Sequence, residues 1–386
     1  MRKLFLLGLA ALLFIIGCEK KSDSIKIGAI YNLEGSQMFL DFPSSEGAKL
    51  AINELNKSGG ILGKKLELIL LDGKTDIPTI KAAANQLVQE DKVSAIIGFS
   101  DTDMVLAAAP IAAEAKVVFI TSGATSPRLP QQVQDYLFLA CFGDNVQAAA
   151  GADYAFNTLN LKTSYLLIDT EMEFTLLLAK YFKECYLDMG GEIILEDTYK
   201  GGSRDFSEQI EKLKSLDVIP DMLYISSGPD DIGFIIKQFR EAGIETPIIG
   251  ADGFDTPLLT ATAGNLAENV FFATHYFAEE DKAESDLIKN FIKSYKTEYG
   301  TVPGGFAALG YDSVMLLANA IKNADSINSE AIRSALLSTK DFQGVTGKIS
   351  YENDSRIPDK GVTIVEVKDS KFHFITSIVP QNVPLP

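Results

Sequence analysis

The sequence predicts an α/β protein built as two doubly wound parallel-sheet lobes joined by three crossings. Three observations carry this prediction. Apolar strands of five or six residues alternate with amphipathic helices, which argues for parallel sheets covered on both faces. The alternation runs through once and then starts again, and no Pro/Gly/Ser-rich linker separates the two runs. Strand-like crossings are therefore expected between the lobes in place of a flexible tether. Length agrees: without residues 1–17 the chain of 386 keeps 369, beyond the roughly 250–300 at which a single core stops growing.

The first run opens with strand Ile25–Tyr31 and a helix that Ser44 or Ser45 is expected to cap, carrying Ala48, Ala51, Ile52 and Leu55 on one face. Lys57-Ser58-Gly59-Gly60 ends it. Strand Leu66–Leu71 and a helix opened by Asp76 and Pro78 repeat the unit, with Ile80, Ala83, Leu87 and Val88 facing inward. Strands Val93–Gly98 and Val117–Thr121 flank an Ala-rich helix from about Thr102 to Ala115. In the second run, strand Ser164–Ile168 leads to a helix around Phe174–Met189, closed by Gly190-Gly191, and then to strand Glu192–Thr198. Asp205 is placed to cap a helix with Phe206, Ile210 and Leu213 in one stripe. Strand Asp221–Ser226, helix Asp230–Ala242 and strand Thr246–Ala251 complete it. The crossings are expected at Leu139–Asp144, Val270–His275 and Val345–Ser350. Lobe 1 would then hold 25–141 plus 273–345, and lobe 2 would hold 142–272 plus 346–386.

The N-terminus sets the compartment. Arg2-Lys3, an apolar run Leu4–Ile16 and Gly17-Cys18 followed by Glu19–Ser24 form a secretory signal of residues 1–17, with Cys18 first after cleavage. An apolar core of 13 residues is shorter than the roughly 20 that span a bilayer. The signal resembles that of bacterial lipoproteins, in which the cysteine thiol is lipidated; Ile15-Ile16 is a mild departure. Residues 18–24 would be a lipidated tether, and the protein is expected to be periplasmic or on the cell surface, held to a membrane.

Charge and cysteine count narrow the partners. Losing Arg2 and Lys3 takes the formal charge from −17 to −19, which repels phosphate backbones, so no nucleic acid is expected. Cys141 and Cys185 are the two cysteines left after Cys18, too few for a disulfide framework, and both are expected as buried thiols. There is no dinucleotide fingerprint, phosphate loop or nucleophile elbow. His275 and His373 lack metal-ligand spacing, so neither metal nor cofactor nor catalysis is expected. A surface hydrolase using Asp252 and His275 is the enzymatic rival.

Several runs together carry a family resemblance over roughly residues 25–375. They are Ile27–Tyr31 with Gly35, Gly59–Leu68, Gly98, Ser122–Pro127, Asp205-Phe206-Ser207, Gly250–Gly253 and Ala308–Asp312. In order and spacing the chain resembles the extracytoplasmic solute-binding proteins of ATP-driven (ABC) importers, specifically the leucine/isoleucine/valine-binding branch. The resemblance implies the type I periplasmic binding fold, a Venus-flytrap that closes on a small zwitterion such as a branched-chain amino acid. It also implies delivery to permease subunits in the membrane, with the protein expected as a monomer. A sensor for a signalling receptor, and urea, short amides or aromatic acids as ligands, are the alternatives.

The resemblance and physical reasoning meet at the strand ends, where helix N-termini offer unpaired amides. Positions in line with Thr102, Gly123 and Thr125 hold the amino-acid backbone in the family. The Thr102 hydroxyl would take the α-carboxylate, the Gly123 carbonyl the α-ammonium, and Thr125 both. Asp252 lines up with the family's acid that pairs with the ammonium. Each also has a structural role open to it: Thr102 as a helix cap, Asp252 as a turn cap, Gly123 and Thr125 as turn formers. Ser100 ends the same junction, and Asp101 and Asp103 beside it are expected to face solvent as first-turn charges. Phe174 stands near the family's pocket tyrosine, Gly228 falls where another tyrosine is common, and Met38, Phe39 and Leu40 occupy the side-chain pocket loop. These departures imply a side chain larger, or differently polar, than leucine.

Overall fold

The computed structural model describes residues 24–278, 285–352 and 355–386. The expected signal and Cys18 lie outside the described residues. The first run folds as β1 (Ile25–Tyr31), α1 (Met38–Lys57), β2 (Leu66–Asp72), α2 (Ile77–Asn85), β3 (Ala95–Gly98), α3 (Thr102–Glu114), β4 (Val118–Thr121), α4 (Leu129–Gln132) and β5 (Leu137–Leu139). Its sheet has the order β2-β1-β3-β4-β5, every pair parallel. The period-2 alternation within each strand feeds two apolar layers. Ile25, Ile27, Ala29 and Tyr31 of β1 join one cluster, while Ile30 joins Ile96, Phe119 and Leu139 on the other face.

The second run folds as α5 (Asp144–Asp153), β6 (Thr163–Asp169), α6 (Glu173–Asp188), β7 (Glu192–Tyr199), α7 (Ser207–Lys214), β8 (Met222–Ser226), α8 (Ile232–Glu241), β9 (Ile248–Gly250), α9 (Pro257–Ala263) and β10 (Val270–Thr274). The chain then returns to the first lobe through α10 (Asp286–Tyr299), α11 (Gly305–Ala324), α12 (Ser329–Leu337) and a hairpin of β11 (Phe342–Gly344) and β12 (Gly347–Ile349). Finally β13 (Val362–Lys368) and β14 (Lys371–Ile378) add two antiparallel strands to the second sheet, giving β14-β13-β10-β9-β8-β6-β7. That sheet is also layered on both faces: Met222 and Tyr224 of β8 point to one cluster, Leu223 and Ile225 to the other.

Helix α1 starts at Met38, six residues before the expected cap, and runs through Pro43. Ser44 and Ser45 are buried inside it, and the Ser45 hydroxyl donates back to the Phe42 carbonyl three residues earlier (2.7 Å), which satisfies it within the helix. The early start is driven by burial of Leu40 and Asp41. Helix α11 then lies directly on α1. A Cβ added at Gly47 would come 1.9 Å from the Ala307 carbonyl oxygen, and one at Gly310 would come 1.9 Å from that of Ser44, so glycine at both positions is what allows the two backbones to meet. For α7, Phe206 and not Asp205 holds the cap position, while Asp205 accepts from the Ser207 amide (3.0 Å) and hydroxyl (2.7 Å).

The apolar alternation of Val345–Ser350 builds the β11/β12 hairpin instead of a crossing. Val345, Ile349 and Tyr351 pack in the first lobe's cluster, and Ile357 in its other one. Arg356 accepts the Leu139 amide on its carbonyl (2.8 Å). The chain therefore passes to β13 only over residues 358–361, and Ala273 packs with the second lobe. One buried network ties these passages together. Asp312 of α11 accepts from the Val345 and Thr346 amides (both 2.8 Å) and the Thr346 hydroxyl (2.6 Å). Lys360 donates to that hydroxyl and to the Ala140 carbonyl (3.0 Å). Burial pulls the Lys360 ammonium below its usual pKa and pushes the Asp312 carboxyl up. Cys141 and Cys185 are both free and buried.

Candidate ligand-binding site

In open parallel sheets the usable crevice lies beyond the strand C-termini, where the strand order reverses. The reversal falls between β1 and β3 in the first sheet and between β6 and β8 in the second. The loops leaving those four strands, with those leaving β4 and β9, form the two walls of one cleft. The loop after β3 is held under strain: Phe99 adopts φ +56°, a left-handed conformation unfavourable for an aromatic residue. Its carbonyl accepts from the Thr121 hydroxyl (3.0 Å) and the Gly123 amide (3.1 Å), and the Gly98 carbonyl accepts from the Ser122 amide (3.1 Å). These bonds fix the segment Ser100-Asp101-Thr102 at the head of α3.

A cavity sits between the walls. From the first lobe come Gln37, Leu40, Ser100, Asp101, Thr125 and Phe306; from the second come Met172, Phe174, Pro229, Asp252 and Gly253. The cavity volume is only ≈ 10 Å³, room for about one water, so an amino acid fits only after the lobes part. Of the seven positions expected, Ser100, Thr125, Asp252, Phe174 and Leu40 line this cavity. Thr102 and Gly123 do not line it; Gly123 lies behind Phe306 and Ser100, and Thr102 follows the lining residue Asp101 at the head of α3. Thr102 is fully buried with its hydroxyl unpartnered. A Cβ on Gly123 would meet the Phe306 ring at 3.0 Å and Ser100 Cβ at 3.2 Å, so only glycine lets that ring lie flat against the loop. Met38 and Phe39 lie elsewhere, in a separate groove with Phe42.

Helix α3 is capped by Asp101, whose Oδ1 accepts from the Met104 amide (3.1 Å), so the Thr102 hydroxyl is not spent on the helix. Asp101 is buried against the cavity and does not face solvent as its first-turn position suggested. Burial, with Asp103 next to it, pushes its carboxyl up to about 7. Asp41, whose Oδ2 accepts from the Asn32 amide (2.9 Å) and side chain (2.8 Å), is raised by burial to about 7. Asp144 is raised well above the usual carboxylate range for the same reason. Among the described residues, no lysine or arginine lines the cavity.

Asp252 and His275 meet, with Oδ2 2.9 Å from Nε2 and both side chains buried. Burial holds the imidazole below its usual pKa, so the neutral ring donates from Nε2 to the carboxylate and leaves Nδ1 a bare acceptor. The ring is clamped by Phe142, stacked at 4.0 Å, and Phe306, edge-on at 5.9 Å. Nδ1 has no hydrogen-bond partner, so no hydroxyl or thiol stands against the pair as a nucleophile. The pair instead fixes Asp252 and leaves its Oδ1 buried and unpartnered at the cavity.

Both lobes also touch around the cavity. Asp103 Oδ2 accepts the Glu173 amide at the head of α6 (3.3 Å), and Glu173 Oε1 receives the Ser126 hydroxyl (3.5 Å) and the Gln132 amide (3.4 Å). Gln37 and Phe306 were not visible as site residues in the sequence, because both sit at the N-terminal ends of long helices whose start points the apolar period does not mark. Gly304-Gly305 ahead of Phe306 is the one local signal of a helix start there.

Residues 24–371 match the family model described as periplasmic binding protein. The fold is similar to a Streptococcus pneumoniae branched-chain amino acid transporter substrate binding protein solved with isoleucine, at 33% identity and TM-score 0.86, covering 92% of this chain and 100% of that one. A leucine binding protein from Thermotoga maritima is 31% identical with TM-score 0.85, covering 92% and 99%. A Leu/Ile/Val-binding protein homolog from Brucella abortus is 27% identical over 385 residues, which is 97% of this chain and all of the relative.

Proposed function

The chain belongs to the periplasmic binding protein family, and from that premise we propose that it captures an α-amino acid between its lobes and hands it to an ATP-driven permease. One observation carries the reading: Asp252 Oδ1 is buried and unpartnered where Asp252 lines the small cavity between the lobes, and Thr102 Oγ1, at the head of α3 next to the lining residue Asp101, is likewise buried and unpartnered. Buried polar atoms are rarely left unmatched, and a carboxylate acceptor from one lobe with a hydroxyl and helix-head amides from the other matches the two ends of a zwitterion. Asp252 would take the α-ammonium; Thr102, Thr125 and the amides at the head of α3 would take the α-carboxylate, with the Gly123 carbonyl as a second acceptor.

The lobes would close by bending at residues 140–143, at the exit from β10 and at 358–361, with Lys360 bonded to the Ala140 carbonyl tying the first of these passages to the last. Cys18 would hold the protein to the membrane by a lipid, keeping it near its permease; among the described residues no helix is long and apolar enough to cross one. A thermal-shift screen of the ligand-stripped protein against the twenty amino acids, short amides and benzoate tests the reading. A rise in melting temperature with an amino acid is expected; stabilisation by benzoate or amides alone would overturn it.

A further inference from the structure

A second compartment of ≈ 290 Å³ adjoins the central cavity between the lobes, and Gln37, Asp101, Met172 and Pro229 stand between the two and line both. Six carboxylates line this mouth: Asp101, Asp103, Asp169, Glu171, Asp230 and Asp231. Among the described residues, no lysine or arginine lines it. Local partners account for part of the charge. Arg204 reaches Asp231 from outside (2.5 Å), and the Glu171 amide donates to Asp169 (3.0 Å). Arg204 also acts on Asp230, but among the described lining residues the only charges Asp101 faces are other carboxylates, Asp103 foremost, and like charges around a partly enclosed space raise each other's cost.

An independent feature points the same way. Gln37 is 6% exposed, lines both compartments, and its Oε1 has no hydrogen-bond partner. A buried carbonyl left bare at the junction of the two spaces needs a donor. Among the described residues no group of three or more His, Cys, Asp and Glu is arranged to hold a metal ion, which points to an organic donor.

We propose that the ligand is an α-amino acid whose side chain ends in an ammonium or guanidinium, and that this end passes Gln37 and Asp101 into the acidic mouth. The inference rests on the amino-acid reading above: Asp252 and Thr102 hold the backbone end, Leu40 and Phe306 flank the methylenes, and the mouth receives the charge. Phe306 and Leu40 suit a long apolar stem as well as they suit leucine. When the cation arrives, Asp101 gives up its proton, since burial and Asp103 hold it up near neutral pH until a positive charge is placed beside it.

The test is calorimetric titration of the ligand-stripped mature protein with arginine, lysine, leucine and isoleucine, at pH 7 in two buffers of different ionisation heat. Arginine or lysine is expected to bind at least tenfold more tightly than leucine, with a buffer-dependent heat that leucine lacks. Asp101→Asn and Asp230→Asn are each expected to cut that preference at least fivefold; asparagine caps a helix as well as aspartate does, so α3 is preserved. Leucine or isoleucine binding more tightly than both basic amino acids overturns this inference and leaves the amino-acid reading standing. If none of the four binds, and the screen shows no other amino acid, both fall together.

Discussion

Asp252 Oδ2 stands 2.9 Å from His275 Nε2, and this contact decides which oxygen of the carboxylate is left for the cleft. Because His275 is neutral and clamped between two phenyl rings, it orients Asp252 without neutralising it. Asp252→Ala removes the acceptor for the α-ammonium and leaves a buried cation unpaired, which costs about 2–5 kcal/mol, or a loss of affinity of roughly 30-fold or more. His275→Ala is expected to weaken binding less, about tenfold, because Asp252 remains but is no longer held. Titration calorimetry of the two variants checks the order; equal losses would mean that the histidine itself contacts the ligand.

Acid and base act on this site with a definite sign. Asp101 titrates near 7 in the folded protein and near 3.9 in an unfolded chain. The folded state therefore binds more protons between about pH 4 and 7, and the contribution of this group to stability falls as pH rises through that window. Asp101→Asn removes the penalty. Its melting temperature in the absence of ligand is expected to exceed that of the native protein at pH 8 and to match it near pH 4, as differential scanning fluorimetry would show. A gain that is the same at both pH values would contradict the assignment.

Gly123 lets the Phe306 ring lie against the loop after β4. A methyl group there pushes the ring by a few tenths of an ångström towards Leu40 and Ser100. Gly123→Ala is expected to weaken ligand binding about tenfold while lowering stability by less than about 1 kcal/mol, since one flexible side chain has to move and no backbone does. Paired titration and denaturant melts separate the two effects.

Gly47 and Gly310 behave differently, because an added Cβ at either meets a backbone carbonyl oxygen at 1.9 Å. Gly47→Ala or Gly310→Ala forces α1 and α11 apart, and a destabilisation of about 2–4 kcal/mol is expected for each. Urea unfolding measures it. The double variant is expected to cost less than the sum, since the first substitution already opens the shared contact.

The strands and most helices were legible in the sequence because their apolar residues keep a strict period, and burial rewards that period directly. The α1 start was hidden by Pro43, which local rules treat as a boundary and which the burial of Leu40 and Asp41 overrides. The stretch Val345–Ser350 looked like a crossing because its alternation is that of a strand; the strand exists, but it pairs in a local hairpin. At the site, strand ends could be placed from the chain alone, and Ser100, Thr125 and Asp252 do line the cavity between the walls. Gln37 and Phe306 come from helix starts brought in by tertiary contact, and the acidic mouth is assembled from loops of both lobes, which no single stretch of sequence displays.

The most direct test of the central claim is a crystal structure of the protein with the amino acid that stabilises it most. The ligand is expected between the lobes, its α-ammonium within hydrogen-bonding distance of Asp252 Oδ1 and its α-carboxylate on the hydroxyls of Thr102 and Thr125. A ligand whose carboxylate faces the Asp252 wall, or one seated outside the cleft, would contradict it.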